Sequence, residues 1–227
     1  MARISTDEVQ SRIAALVDQN ESTSAISSTD YSLRLKYINM ALSEWQESYD
    51  WQTLYAEYNM LISTSTGNAS VVLPTDFRKL AGPVAITWDG ATTDNFVDTK
   101  PQNSSSFASS MKRVSVYGNP QDAYTLVVNG VTLVSGASVM VPYFMSAQSL
   151  VSPANIAEIP NPEYLVKRSV AYLWESREDQ RFPQMKQEAD KILASMIEYE
   201  NIYGYHANND RIKTVEETSY KFRPGRD

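Results

Sequence analysis

The sequence has no cysteine and a single histidine, His206. Without cysteine there is no disulfide, no thiolate nucleophile and no cysteine-ligated zinc or iron–sulfur centre. One histidine cannot supply a paired metal site and is a poor basis for a triad in a folded core. No Gly-x-Gly-x-x-Gly, Walker-type or Gly-x-Ser-x-Gly run occurs, so neither a phosphate cradle nor a nucleophile elbow is written in the chain. No stretch approaches 18 consecutive apolar residues, which argues against a membrane span. The opening residues, Met1 to Glu8, lack the apolar segment of a signal peptide, so a soluble protein made in a cytoplasm is expected. Basic residues are also short: 20 Lys and Arg face 27 Asp and Glu, for a net charge of -7. A general nucleic-acid binder needs clustered cations to neutralise phosphates. An acidic wall can, however, line a passage through which DNA slides without sticking.

What is present suits one domain, or one core with an elaborated insert. Hydrophobic residues make up 42% of the 227 and are sufficient for a core. Ser5 and Glu8 have capping-box spacing at the head of a helix whose Val9, Ile13, Leu16 and Val17 share a face. Residues 21–29 are polar and read as a loop. A second helix is expected from about Asp30 to Asp50, with Leu35, Ile38, Leu42, Trp45 and Tyr49 as a coiled-coil-like seam. Trp45 and Trp51 read as core aromatics.

From Tyr55 to about Leu150 the period shortens to that of strands. Residues 58–62 and 70–73, around Gly67-Asn68, read as a hairpin. A Leu73-Pro74-Thr75-Asp76-Phe77 turn follows, then a strand over 84–88 and a turn at Asp89-Gly90. Residues 91–110 are polar and read as a loop. Strands are expected at 114–117, 124–128, 131–134 and 137–145, with 124–128 and 131–134 joined at Asn129-Gly130 as the clearest hairpin. Pro142 suggests an edge or a bulge. Asn161, Pro162 and Glu163 start a third helix, apolar on more than one stripe, and Pro183 opens a fourth that ends near Gly204.

The expected fold class is therefore α+β. Residues 1–54 supply one helical pair, and residues 151–204 supply a helical hairpin that completes a four-helix bundle. Residues 55–150 form an inserted antiparallel β region, and residues 205–227 form an extended C-terminal tail. That tail carries Arg211, Lys213, Lys221, Arg223 and Arg226 against Asp210, Glu216, Glu217 and Asp227, with Tyr205, Tyr220 and Phe222 as spaced anchors. Such a segment reads as one that orders on a partner.

Catalytic chemistry finds little support. Asp89, Asp94 and Asp98 sit in a polar stretch without calcium-loop spacing. Glu175, Glu178 and Asp179 lie beside Arg177 and Arg181, where exposed ion pairing is expected. Neither set makes a convincing acid/base pair, so no catalytic residue, metal or cofactor is expected.

Three features in order resemble the head-to-tail adaptor proteins of tailed phages, also called head-completion, tail accessory or tail tubular A proteins. One is the second helix, residues 31–45, followed by Asp50-Trp51 and a β segment. Another is the Leu73-to-Phe77 turn. The third is Pro162-Glu163-Tyr164 opening a helical hairpin, with Glu198-Tyr199-Glu200 and Tyr203-Gly204-Tyr205 leading into the polar tail.

The resemblance implies a structural virion protein at the neck, forming a ring, commonly of twelve copies, beneath the portal. DNA would pass through that ring without sequence-specific binding. The tail would grip the portal protein through Tyr205, Arg211, Tyr220, Phe222 and Arg223. The β region, loop 91–110 above all, would face the tail nozzle, tube or fibre proteins. Two other readings compete. One is a different tail or neck protein, or a glycan-binding β module using Trp88, Tyr117, Tyr124 and Tyr143. The other is a small cell-wall hydrolase.

Overall fold

A computed structural model describes residues 4–18, 28–62, 70–88, 92–98, 113–119, 123–129 and 133–204. In chain order it begins with β1 (Ile4–Ser5), α1 (Thr6–Asp18), α2 (Ser28–Ser48) and a 3-10 turn (Gln52–Leu54). Next come β2 (Tyr55–Leu61), β3 (Ser70–Val72), β4 (Phe77–Leu80), β5 (Val84–Thr87) and β6 (Thr93–Asp98). Then follow β7 (Arg113–Asn119), β8 (Ala123–Asn129), β9 (Ser138–Met145) and β10 (Ile156–Ala157). The last elements are α3 (Glu163–Ser176), α4 (Phe182–Tyr199) and a π turn (Glu200–Gly204). The chain divides into two compact units: Met1–Thr53 with Gln148–Asp227, and Leu54–Ala147.

In the first unit α1 begins where the Ser5–Glu8 spacing predicts, and Ser5 Oγ accepts the Glu8 N–H at 3.2 Å. Thr6 donates from both N and Oγ1 to the Asn155 carbonyl, beside the short β1–β10 ribbon. The hub of the unit is α3. It buries Tyr164, Leu165, Val166, Arg168, Ser169, Val170, Ala171, Leu173 and Trp174, and α1, α2 and α4 each pack against it. A helix with apolar residues on more than one stripe needs neighbours on more than one side. At its start Asn161 Oδ1 accepts the Glu163 N–H at 3.1 Å. At its end Asp179 N–H bonds the Trp174 carbonyl, and Glu178 N–H bonds the Glu175 carbonyl. This is the Schellman pattern, with Glu178 at φ 55 where glycine is usual.

The expected four-helix bundle does not form. Among the described residues the fold is instead β-rich, with four α-helices and about 31% strand. The helices share no common seam, because α4 buries only Met185, Ala189 and Met196 and lies against α3. Non-helical residues complete this core. Trp51, past the end of α2, stacks on Trp45 with ring centroids 5.1 Å apart and donates its Nε1–H to the Trp45 carbonyl. Ile4, Leu150, Ala157 and Ile159 are also buried. A fully buried side chain of this size contributes roughly 1.5–3 kcal/mol, so these segments matter as much as a helix face.

The second unit is a sheet path ordered β2-β9-β5-β6-β7-β8-β3, with β4 also on β9. Its core includes Val71, Phe77, Val84, Ile86, Phe96, Val114, Leu126, Leu133, Val139 and Val141. The pairing corrects several expectations. Segments 58–62 and 70–73 are not partners: Tyr58 sits opposite Val141, and Val71 opposite Leu126. Likewise β8 pairs with β7 and β3; of the expected strand 131–134 only Leu133 and Val134 are described, and Leu133 makes only a bridge. Within the expected loop 91–110, Thr93–Asp98 form a strand that buries Phe96 against the core. The sheet is not wholly antiparallel either, since β6 and β7 run parallel over Val97↔Arg113 and Asp98↔Val114. Gly67-Asn68, Asp89-Gly90 and Gly130 fall outside the described residues.

Pro142 occupies an interior strand, β9, rather than an edge. Ile62 N–H donates to the Ala137 carbonyl, so alternation turns the backbone of Glu57, opposite Pro142, away from β9. The donor that proline lacks therefore falls on the other side, where β4 gives way to β5. There the Pro142 carbonyl accepts from Ala81 N at 2.9 Å. At most one ladder bond is lost.

Candidate functional site

A buried polar junction joins α2, α3 and α4. Arg168 on α3 is 9% exposed. Its Nε and Nη2 donate to the two carboxylate oxygens of Glu44 on α2, at 2.6 and 2.5 Å. One turn further along α3, Tyr172 Oη donates to Glu44 Oε2 at 2.5 Å. Asp190 on α4 lies 3.4 Å from Arg168 Nη1, and Lys167 bonds Glu188 of α4 at 2.8 Å. The guanidinium also lies 5.1 Å from the centre of the Tyr172 ring, which in turn stacks on Tyr37 of α2.

Electrostatics here favour holding rather than turnover. Burial opposes the charge on Arg168, but hydrogen bonds with Glu44 and Tyr172 outweigh it and leave the guanidinium more firmly protonated than usual. Burial, then the hydrogen bond to Glu44, pushes the Tyr172 phenol up. Tyr164, fully buried nearby, is pushed up mainly by burial, with Glu44 adding to it. All three keep their protons across the physiological range, and Arg168 and Tyr172 act as donors to Glu44 rather than as bases. A fork-to-fork arginine–carboxylate pair fixes geometry as well as charge.

Beside this junction lies an open groove of about 490 Å³, lined by Met40, Ser43, Glu44, Glu47, Ser48 and Tyr172. The five α2 residues follow the i, i+3, i+4, i+7, i+8 pattern and form one stripe. Met40 is 41% exposed, and Glu47 is exposed at the rim. The groove offers apolar surface next to carboxylates, which suits a ligand that is both aliphatic or aromatic and cationic.

The residues singled out from the sequence are dispersed. Tyr205, Arg211, Tyr220, Phe222 and Arg223 all lie outside the described residues. The last described element, the π turn, is fastened at both its first residues: Glu200 Oε1 accepts Gln52 N–H at 2.6 Å, and Asn201 Oδ1 accepts Tyr49 Oη–H at 2.5 Å. Of the four sheet aromatics, Tyr124 and Tyr143 both pack on Phe77, and Tyr143 donates to Asp76. Trp88 packs its edge on Phe96 and donates to Asp94 at 3.0 Å. Tyr117 is 47% exposed. These four rings do not line up as a stacking platform. Asp89 and the side chain of Asp98 lie outside the described residues. Asp179 pairs with Arg181 at 2.7 Å, and among the described residues no cluster of three His, Cys, Asp or Glu side chains could hold a metal ion.

The sequence reading missed the Glu44–Arg168–Tyr172 junction. One signal was available: Arg168 and Tyr172, four residues apart, share a face within the mostly apolar middle of α3. Compared with known proteins, the chain matches no family model and no curated protein.

Proposed function

We propose that this chain is a structural virion protein, a head-to-tail adaptor that forms a ring beneath the portal and joins the DNA-filled head to the tail. The observation that carries the reading is the order of its parts. A helical unit is closed by both halves of the chain, a separate sheet unit is inserted between them, and α4 runs through a fastened π turn into the polar segment 205–227. In this reading the segment grips the portal protein. Copies of the helical unit make a homo-oligomeric ring of about twelve, and the sheet unit meets nozzle, tube or fibre proteins. The net charge of -7 suits a lumen that DNA crosses without binding. A closed ring multiplies weak contacts, so no single interface has to be strong. The role requires no catalytic residue or cofactor.

The test is mass photometry of full-length protein and of residues 1–204, each mixed with the portal protein of the same phage. Full-length subunits adding as one discrete complex, with the truncated chain failing to add, is the expected result. Equal binding by both chains would sink the tail-grip claim, and binding by neither would sink the adaptor reading.

A further inference from the structure

We infer that the α2 groove is a docking site for this chain's own C-terminal segment, specifically the aromatic–basic stretch Tyr220-Lys221-Phe222-Arg223. Three observations converge on that occupant.

The first is the chemistry of the groove. Met40 and Tyr172 provide apolar surface, and Glu47 stands exposed at the rim. The Arg168 cation is already engaged by Glu44. Glu47 and the 54%-exposed Asp190 side chain therefore set the sign of the surroundings. The second is composition. In a chain of net charge -7, residues 218–226 contain Lys221, Arg223 and Arg226 and no acidic residue, with Tyr220 and Phe222 interleaved. Alternating rings and cations match a cleft of apolar floor and carboxylate rim.

The third is where the described chain stops. Tyr49 and Gln52, at the C-terminal end of α2, hold Asn201 and Glu200. The segment thus departs from the same end of α2 as Ser48, the last groove residue. An extended chain advances roughly 3.3 Å per residue, so Tyr220 can reach up to about 50 Å from Gly204. That far exceeds the stripe from Met40 to Ser48, which spans roughly 12 Å at 1.5 Å per residue. Docking within one chain needs little intrinsic affinity, because the tether sets a high local concentration.

The consequence rests on the adaptor reading. A tail seated in its own groove is shielded from wrong partners until the portal outcompetes the groove for the same aromatic and basic side chains.

Since the native chain has no cysteine, Ser43→Cys places one nitroxide in the groove of the otherwise intact protein. Amide NMR signals of residues 218–226 then report proximity. With a tether concentration in the millimolar range, a contact of about 1 mM Kd leaves the groove about half occupied, so those signals should weaken at least about twofold. They should recover in Met40→Lys/Glu47→Lys, and equally in Lys221→Glu/Arg223→Glu, which changes none of the described residues. A mixture of nitroxide-bearing unlabelled protein with isotope-labelled, nitroxide-free protein should show no weakening. No effect in the first sample, or an effect only in the mixture, which would mean contact between copies, overturns the inference. So does an effect that survives both charge-reversed variants. The measurement uses the protein alone, so its failure leaves portal binding by mass photometry as a separate test of the adaptor reading.

Discussion

Replacing Arg168 with methionine should be one of the costliest single changes in the helical unit. Methionine keeps most of the stem packing and removes the guanidinium, which strands the Glu44 carboxylate against α3. Breaking a fully buried pair by deleting one partner costs roughly 3–5 kcal/mol. Here the Glu44 side chain retains 33% of its exposure, so water recovers part of its solvation, and the expected loss falls to about 2–3 kcal/mol. The contact with Asp190 adds little, because a half-exposed partner at 3.4 Å is screened. The double change Glu44→Leu/Arg168→Met removes both charges. It should return to within about 1 kcal/mol of the native protein, less whatever Tyr172 loses with its acceptor, about 1 kcal/mol. Urea unfolding read by tryptophan fluorescence can follow this unit alone. Trp45, Trp51 and Trp174 belong to it, and Trp88→Phe silences the sheet unit. A single-variant loss under about 0.5 kcal/mol would refute the reasoning, as would a double variant that loses the sum of the two singles.

Three further outcomes follow from local geometry. Glu178→Gly should stabilise the helical unit by about 0.5–1 kcal/mol, because φ 55 is a glycine conformation; Glu178→Ala should give no gain, and urea midpoints distinguish the two. Gly118→Ala should cost more than about 2 kcal/mol in the sheet unit, read by Trp88 fluorescence, since φ is 114 and an added Cβ would lie 2.2 Å from the Ala123 carbonyl oxygen. Hydrogen bonds from the Arg181 side chain and backbone hold the Asp179 carboxyl at about 2, below its ordinary 3.8. A depressed value means that any stabilisation is present above pH 3.8 and is lost as pH falls through about 2. The carboxyl NMR titration should have its midpoint there, and Arg181→Ala should move it up toward the ordinary value.

The contrast between what the sequence showed and what it hid is one of range. Helix starts were legible because their causes lie within three or four residues: Ser5 caps Glu8, and Asn161 caps Glu163. The strands of the sheet unit were mostly legible as strands for the same reason. Their partners were not. A glycine-bearing turn biases two residues locally, whereas pairing is decided by which faces bury together, and the Val71–Leu126 and Tyr58–Val141 pairings satisfy the core better than the nearest neighbours in sequence do. Thr93–Asp98 shows the limit from the other side. Its polar residues read as a loop, yet one buried ring, Phe96, is enough to hold the segment in a sheet that supplies the other contacts. The bundle failed for a related reason. An α3 apolar on more than one stripe was legible, and it implies a helix packed by different elements on different sides rather than one helix of a shared seam. The candidate site was the least visible of all, because Glu44 and Arg168 are 124 residues apart and each, alone, is an ordinary charged residue on a helix. Only Arg168 and Tyr172 together, sharing a face within the mostly apolar middle of α3, marked a helix that had to find an acid somewhere, and the fold brings that acid from α2.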